Sequence, residues 1–145
     1  MVVSGTCGNA ATNSATLTVN ENVVVAAAPL SLTNCPATSA SFSVSATGTG
    51  LSYQWYKGAN ALAGQTGSSL TLNNVTAADA GTYSVVVSGT CGNSVTSSAS
   101  LTVNENVVVA NGPVSLTNCP GTSASFSVTA NGTGLSYQWY KGATA

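Results

Sequence analysis

Hydrophobic and polar residues alternate with a period of two along most of this chain, whereas the spacing of an amphipathic helix does not recur. In the segment 40–46, Phe42 and Val44 are each flanked on both sides by serines. The same alternation marks the segments 51–56, 70–72, 83–87 and 99–103. Clusters of Gly, Pro, Asn and Thr separate these segments, as is typical of turns. Short strands at this spacing predict an all-β protein, built as an antiparallel β-sandwich.

The sequence repeats itself with a period of about 84 residues. Three landmark pairs mark the period: Cys7 and Cys91, Cys35 and Cys119, and Trp55 and Trp139. When the chain is laid over itself at this offset, about 49 of 61 positions are identical. An active site has no need of such a copy, whereas a rod or a multivalent surface is built from near-identical modules in series.

The repeat predicts three pieces of a tandem array. Residues 1–21 are the last strands of one repeat, residues 22–105 are a complete repeat, and residues 106–145 are the first strands of the next. The connection around Asn104–Asn106 contains no Gly-, Ser- or Pro-rich linker, so we expect a stiff array. Because Met1 occupies the position of Val85 and no signal peptide precedes it, we expect an internal segment of a longer secreted protein.

The composition excludes several classes of function. The 145 residues include two lysines, three acidic residues and no histidine. A nucleic-acid partner would require a basic face, and a membrane span would require a much longer apolar run. Histidine-based triads are unavailable and paired carboxylates are missing, so we expect no enzyme and no cofactor. The four cysteines lack the spacing of a zinc site, and disulfides would place the protein outside the cytosol.

Two segments resemble the immunoglobulin-like fold. Tyr53-Gln54-Trp55-Tyr56-Lys57 is similar to the strand C motif, and Asp79-Ala80-Gly81-Thr82-Tyr83-Ser84-Val85 is similar to the start of strand F. The resemblance implies tandem immunoglobulin-like antiparallel β-sandwiches, with Trp55 and its copy Trp139 in the cores. It also implies that Tyr83 forms the tyrosine corner and that Asp79 caps the preceding turn.

A narrower resemblance comes from two longer runs. The segments 41–57 and 83–92 are similar to the immunoglobulin-like repeats of very large surface proteins secreted by Bacteroidota. Such proteins are typically adhesins, including gliding-motility adhesins, which the type IX system exports. This resemblance implies an extracellular, cell-surface location.

The cysteines depart from the antibody pattern. Val44 and Val85 stand where the family has its bridging cysteines, so the core is expected to be apolar and unbridged. The resemblance places Cys35 in the A′–B turn and Cys91 in the F–G turn, at opposite poles of the sandwich. It therefore implies disulfides between modules or between chains, with Cys35 paired to the F–G cysteine of the following module. Cys7 and Cys119 are the corresponding copies.

Two other groups of side chains have both a chemical and a structural interpretation. Lys57 and Asp79 could form an isopeptide bond, but a lysine at a strand end and a turn-capping carboxylate are the favoured interpretation. Tyr53 and Trp55 point inward, as core residues do. Tyr56 and its copy Tyr140 point outward and are the candidates for a surface contact.

The leading hypothesis is a structural segment of an extracellular filament or adhesin shaft, whose partners are neighbouring copies of the same repeat or protein. One alternative is a multivalent module that binds glycans or surfaces. Another is a head-to-tail fibre in which the N-terminal strands of one chain complete the C-terminal strands of the next.

Overall fold

A computed structural model describes residues 1–143 of the chain. Almost all of its regular structure is β. The strands, in chain order, are β1 (Val2–Val3), β2 (Ala11–Thr12), β3 (Val24–Ala27), β4 (Leu32–Asn34), β5 (Ala40–Ser43), β6 (Ser45–Thr47), β7 (Ser52–Lys57), β8 (Asn60–Ala61), β9 (Ser69–Leu72), β10 (Gly81–Ser88), β11 (Val95–Val103), β12 (Val108–Asn111) and β13 (Thr129–Asn131). A short 3-10 turn, Ala77–Asp79, precedes β10.

Strands β3 to β11 build one complete β-sandwich. One layer is a five-stranded sheet in the order β4-β11-β10-β7-β8. Its pairings are antiparallel except for β4, which runs parallel to β11. The other layer contains the antiparallel pairs β3–β6 and β5–β9. The predicted all-β, immunoglobulin-like fold is therefore confirmed.

Period-two alternation places the core between the two layers. Trp55 is 0% exposed, and Val85 lies directly opposite it in the β7–β10 pairing. Phe42, from the other layer, lies 6.2 Å from the Trp55 ring and 5.2 Å from the Tyr83 ring, measured between ring centroids. The buried residues form one cluster: Val23, Ala40, Phe42, Val44, Trp55, Leu70, Val75, Tyr83, Val85, Val87, Ala99 and Leu101.

The segment 40–46, which alternation predicts as one strand, is divided at Val44. The backbone N–H of Val44 donates to the Ser68 carbonyl at 2.9 Å. Before this point β5 pairs with β9, and after it β6 pairs with β3. A change of partner along one strand depends on tertiary packing, so alternation could not reveal it.

The flanking segments have nearly the same sequence as parts of the sandwich, but their apolar side chains are not buried as they are there. Residues 1–21 contain the β1–β2 hairpin, and β12 pairs with β13 in the same way as β3 pairs with β6. Trp139, which the sequence places in a core, is 48% exposed, and Phe126 is 55% exposed. The reason is physical: in residues 22–105 the strands β10 and β11 cover Trp55, whereas no such strands cover Trp139 in residues 106–143. The last two residues of the predicted segment 106–145 lie outside the described part.

A membrane-spanning helix is not found in residues 1–143, where no helix has sufficient length and apolarity to cross a bilayer.

Candidate functional site

Each end of the complete sandwich is attached to the chain that leads to the neighbouring repeat. We call Asn104-Glu105-Asn106 the junction tripeptide, and Asn20-Glu21-Asn22 is its upstream copy. The tripeptide is held through its backbone. Its importance lies in the backbone hydrogen bonds that hold it from both sides.

The chain enters the sandwich at the end that we call the upper pole and leaves it at the opposite end, the lower pole. At the upper pole, the upstream copy of the tripeptide is bonded to the loop between β6 and β7. The Glu21 N–H donates to Thr49 Oγ1 at 2.9 Å, and the Thr49 N–H donates back to the Glu21 carbonyl at 3.2 Å. Gly48 makes this close approach feasible, because a Cβ there would meet the Asn22 carbonyl oxygen at 3.0 Å. Its φ of +142° also disfavours any L side chain.

The same attachment recurs one period later. The Glu105 N–H donates to Thr133 Oγ1 at 2.8 Å, and the Thr133 N–H donates to the Glu105 carbonyl at 3.3 Å. A Cβ on Gly132 would meet the Asn106 carbonyl oxygen at 3.1 Å. Glu105 is thus bonded to the segment that follows it.

At the lower pole, the chain leaves the sandwich beside β4. The Asn104 N–H donates to the Asn34 carbonyl at 2.9 Å, which extends the parallel β4–β11 pairing by one bond. The Asn34 side chain donates to Thr38 Oγ1 at 2.9 Å, and Thr38 Oγ1 donates to the Cys35 carbonyl at 2.7 Å. Asn104 is thus bonded to the sandwich that precedes it.

Consecutive residues therefore belong to different repeats. Asn104 is bonded to Asn34 in the complete sandwich, whereas Glu105 is bonded to Thr133 in the next segment. The two repeats are therefore attached through adjacent residues, with no linker between the two attachments. The sequence predicted a short connection, but it missed Thr49, Thr133 and Asn34 as the groups that fix it. The recurrence of all three at the repeat period was the signal that could have found them.

The cysteines lie near these poles. The backbone of Cys91 forms an isolated parallel β-bridge with that of Asn22 at the upper pole, and Cys35 follows Asn34 at the lower pole. Strand β11 measures the separation of the two cysteines, because Cys35 lies beyond its end at Val103 and Cys91 lies before its start at Val95. The two cysteines are therefore at least eight residues, or about 26 Å, apart along the sandwich. All four cysteines (Cys7, Cys35, Cys91 and Cys119) carry free thiols in the described part of the chain. A disulfide requires Cα atoms within about 7 Å.

The tyrosine corner implied by the resemblance is present. The Tyr83 hydroxyl donates to the Asp79 carbonyl at 2.8 Å. The Asp79 carboxylate accepts from the Thr76 N–H and from the Thr76 hydroxyl, each at 2.8 Å, and these bonds lower its pKa. Burial raises the pKa of Tyr83, and the nearby Asp79 charge adds to that shift.

Lys57 does not contact the Asp79 carboxylate. Its ammonium donates to the Ala78 carbonyl and lies 5.7 Å from the centroid of the Tyr83 ring. Both contacts suit a charged amine at a strand end, as the favoured interpretation of the sequence states.

Neither of the two outward tyrosines forms a built binding site. Tyr56 is half-buried on the outer face of β7, whereas Tyr140 is 65% exposed. The grooves of the surface are open, and one of about 400 Å³ is lined by alanine, serine and aliphatic side chains between β3 and β5. Residues 1–143 contain no group of three or more His, Cys, Asp or Glu side chains arranged to hold a metal ion.

The two layers, the apolar core and the tyrosine corner define a sandwich of the immunoglobulin class. A profile of the immunoglobulin domain matches residues 14–104, which is more than half of the chain. The chain therefore belongs to the immunoglobulin domain family. No match was found among curated protein sequences.

Several solved structures share this fold. A titin fragment of three immunoglobulin domains is 22% identical with a TM-score of 0.59, and the match covers 65% of this chain and 36% of that one. Immunoglobulin domains 1–5 of Sidekick-1 are 22% identical with a TM-score of 0.71, covering 88% of this chain and 29% of that one. The chain thus spans about a third of these two structures. At such identities the likeness establishes the fold alone.

Proposed function

We propose that this chain is a segment of an extracellular filament or adhesin shaft made of tandem immunoglobulin-like sandwiches. The observation that carries the proposal is the junction tripeptide, in which Asn104 is bonded to one repeat and Glu105 to the next. A connection without free residues keeps successive sandwiches in a fixed relation. Such an array projects and spaces contacts at a distance from the cell.

The chemistry of the surface supports the same role. Only 3% of the residues are charged, so few ion pairs are available for salt to screen. The resemblance to secreted repeats of Bacteroidota surface proteins supports an extracellular location. The matched fragments of titin and Sidekick-1 are themselves strings of immunoglobulin domains, which supports a tandem arrangement for this chain.

Electron microscopy of the native assembly tests the proposal. We expect a thin, straight fibre with an axial repeat of roughly 40 Å, because the nine residues of β11 cover about 30 Å and the turns add to each end. Compact particles, or beads that bend freely at each joint, would contradict a shaft.

The multivalent binding module is the second candidate, and the observation that favours it is the position of Tyr56 on the outer face of β7, where its side chain is half-buried. A glycan and surface-adsorption screen of the wild-type chain tests it, with a Tyr56→Ser, Tyr140→Ser double variant as the matched control. Binding that the double variant loses would support this candidate. Straight fibres that bind nothing in the screen would support the shaft.

A further inference from the structure

We propose that adjacent repeats are joined covalently across the junction tripeptide. The bond is a disulfide from Cys35 of one sandwich to the F–G cysteine of the sandwich that follows, which is the counterpart of Cys91 between β10 and β11. This inference rests on the proposed shaft and adds a specific bond to it. It requires neither a ligand nor a metal.

The first step concerns Cys35. Asn34, its neighbour in the chain, accepts the backbone hydrogen bond of Asn104 at 2.9 Å. Cys35 therefore lies at the level where the chain leaves the sandwich, and its side chain is exposed. A thiol in this position is accessible at the end of the sandwich that leads to the next repeat.

The second step concerns the partner cysteine. In the complete sandwich, the backbone of Cys91 forms an isolated parallel β-bridge with that of Asn22, the last residue of the upstream copy of the tripeptide. One period later Asn106 takes the place of Asn22. The hydrogen bond that holds Glu21 to Thr49 is reproduced there between Glu105 and Thr133. The F–G cysteine of the following repeat therefore lies beside Asn106.

The third step is the distance. Asn104 and Asn106 are two residues apart, which is about 7 Å of extended chain. When both cysteines lie on the same side of the tripeptide, their Cα atoms are separated by about this length, at the upper end of the disulfide range. Within one sandwich the same two cysteines are about 26 Å apart, so the bond cannot form inside a single repeat.

Bond formation requires an oxidant, and we assign this role to an oxidised thiol–disulfide oxidoreductase. One cysteine thiolate attacks the oxidoreductase disulfide and forms a mixed disulfide. The thiolate of the other cysteine then displaces the oxidoreductase, which leaves as a dithiol. The cysteine pair loses two protons and two electrons, and the oxidoreductase disulfide accepts both.

A chain with one additional repeat tests the proposal. Inserting a second copy of 22–105 directly after residue 105 preserves the natural junction and gives two complete sandwiches in series. Three two-cysteine variants are compared, with every other cysteine replaced by serine. The forward variant keeps Cys35 in the first copy and Cys91 in the second. The reverse variant keeps Cys91 in the first and Cys35 in the second, and the internal variant keeps both in one copy.

After equilibration with a glutathione redox buffer, chymotryptic peptides are analysed without reduction. We expect the forward variant to link the peptide 33–42 to the peptide 84–101, with an equilibrium constant at least about tenfold above that of either control. Equal or greater linkage in the reverse or internal variant would overturn the proposal, as would free thiols in the forward variant. Small-angle scattering of the reduced protein separates the two proposals. An extended shape with unlinked thiols refutes the disulfide alone, whereas a flexible shape refutes the shaft.

Discussion

At the residue scale, the core and the tyrosine corner contain side chains to which the sequence itself draws attention. Trp55, Val44 and Val85 are buried together, and Tyr83 makes the hydrogen bond of a tyrosine corner. These positions were predictable because period-two alternation fixes the face of each side chain, and because the two motifs resemble known strands. In the described part of the chain Trp139 is 48% exposed, since burial depends on partner strands and not on the residue itself.

Removing the hydroxyl of Tyr83 tests the tyrosine corner. We expect Tyr83→Phe to lower the free energy of unfolding by about 1–2 kcal/mol, because the partly buried hydrogen bond to the Asp79 carbonyl is lost while the ring remains. Urea denaturation followed by circular dichroism measures the change. Tyr56→Phe is the matched control and should change stability by less than about 0.5 kcal/mol. Equal losses in both variants would argue against the corner as a stabilising feature.

At the scale of elements, the sequence predicted the strands better than their connections. The observed β7, β9, β10 and β11 overlap the predicted segments 51–56, 70–72, 83–87 and 99–103. The change of partner at Val44 was missed, because alternation records which face is buried and not which strand lies alongside. The backbone bonds of Thr49 and Asn34 were missed for a similar reason, since period-two alternation does not show which distant backbone groups a residue bonds to.

The loop that holds the upstream copy of the tripeptide depends on Gly48. We expect Gly48→Ala to destabilise the sandwich by about 1–3 kcal/mol, because its φ is +142° and a Cβ would press on the Asn22 carbonyl. Chemical denaturation measures the loss. Hydrogen exchange at the Thr49 amide, which donates to Glu21, should also become faster.

Gly67→Ala provides the matched control in the same sandwich. Its Cβ would lie 3.6 Å from the carbonyl oxygen of Ser69, and its φ is not in the positive region. We expect little change in stability and unchanged exchange at Thr49. If Gly48→Ala behaved in the same way as this control, the close approach at the upper pole would have no energetic importance.

At the scale of the whole molecule, the sequence revealed the tandem organisation but not how adjacent repeats are fixed to each other. The period of about 84 residues is visible in the sequence, because the modules are near-identical copies. The connection is visible only in the structure, where Asn104 is bonded to Asn34 in the preceding sandwich and Glu105 is bonded to Thr133 in the following segment. Their side chains give no hint of this, since the bonds are made by the backbone.

Lengthening the connection tests the stiffness of the array. In the chain with two complete sandwiches, we expect a Gly-Ser-Gly-Ser insertion between Asn104 and Glu105 to reduce the mean end-to-end distance. The reason is that the insert supplies freely rotating residues where there were none. Small-angle scattering measures the change in radius of gyration. The same insertion after Gly64, in an exposed loop within a sandwich, is the control and should leave the overall dimensions unchanged.

The parallel pairing of β4 with β11 has a mechanical consequence. The upstream chain reaches β4 from the upper pole, and β11 leaves at the lower pole. A pull on the two ends therefore drags these strands past each other along their length. Their bonds, from Leu32 to Asn34 and on to Asn104, would be strained in shear and all at once, whereas a hairpin pulled from its open end unzips one bond at a time. A sandwich pulled from its two ends is therefore expected to resist tension through shear of this strand pair.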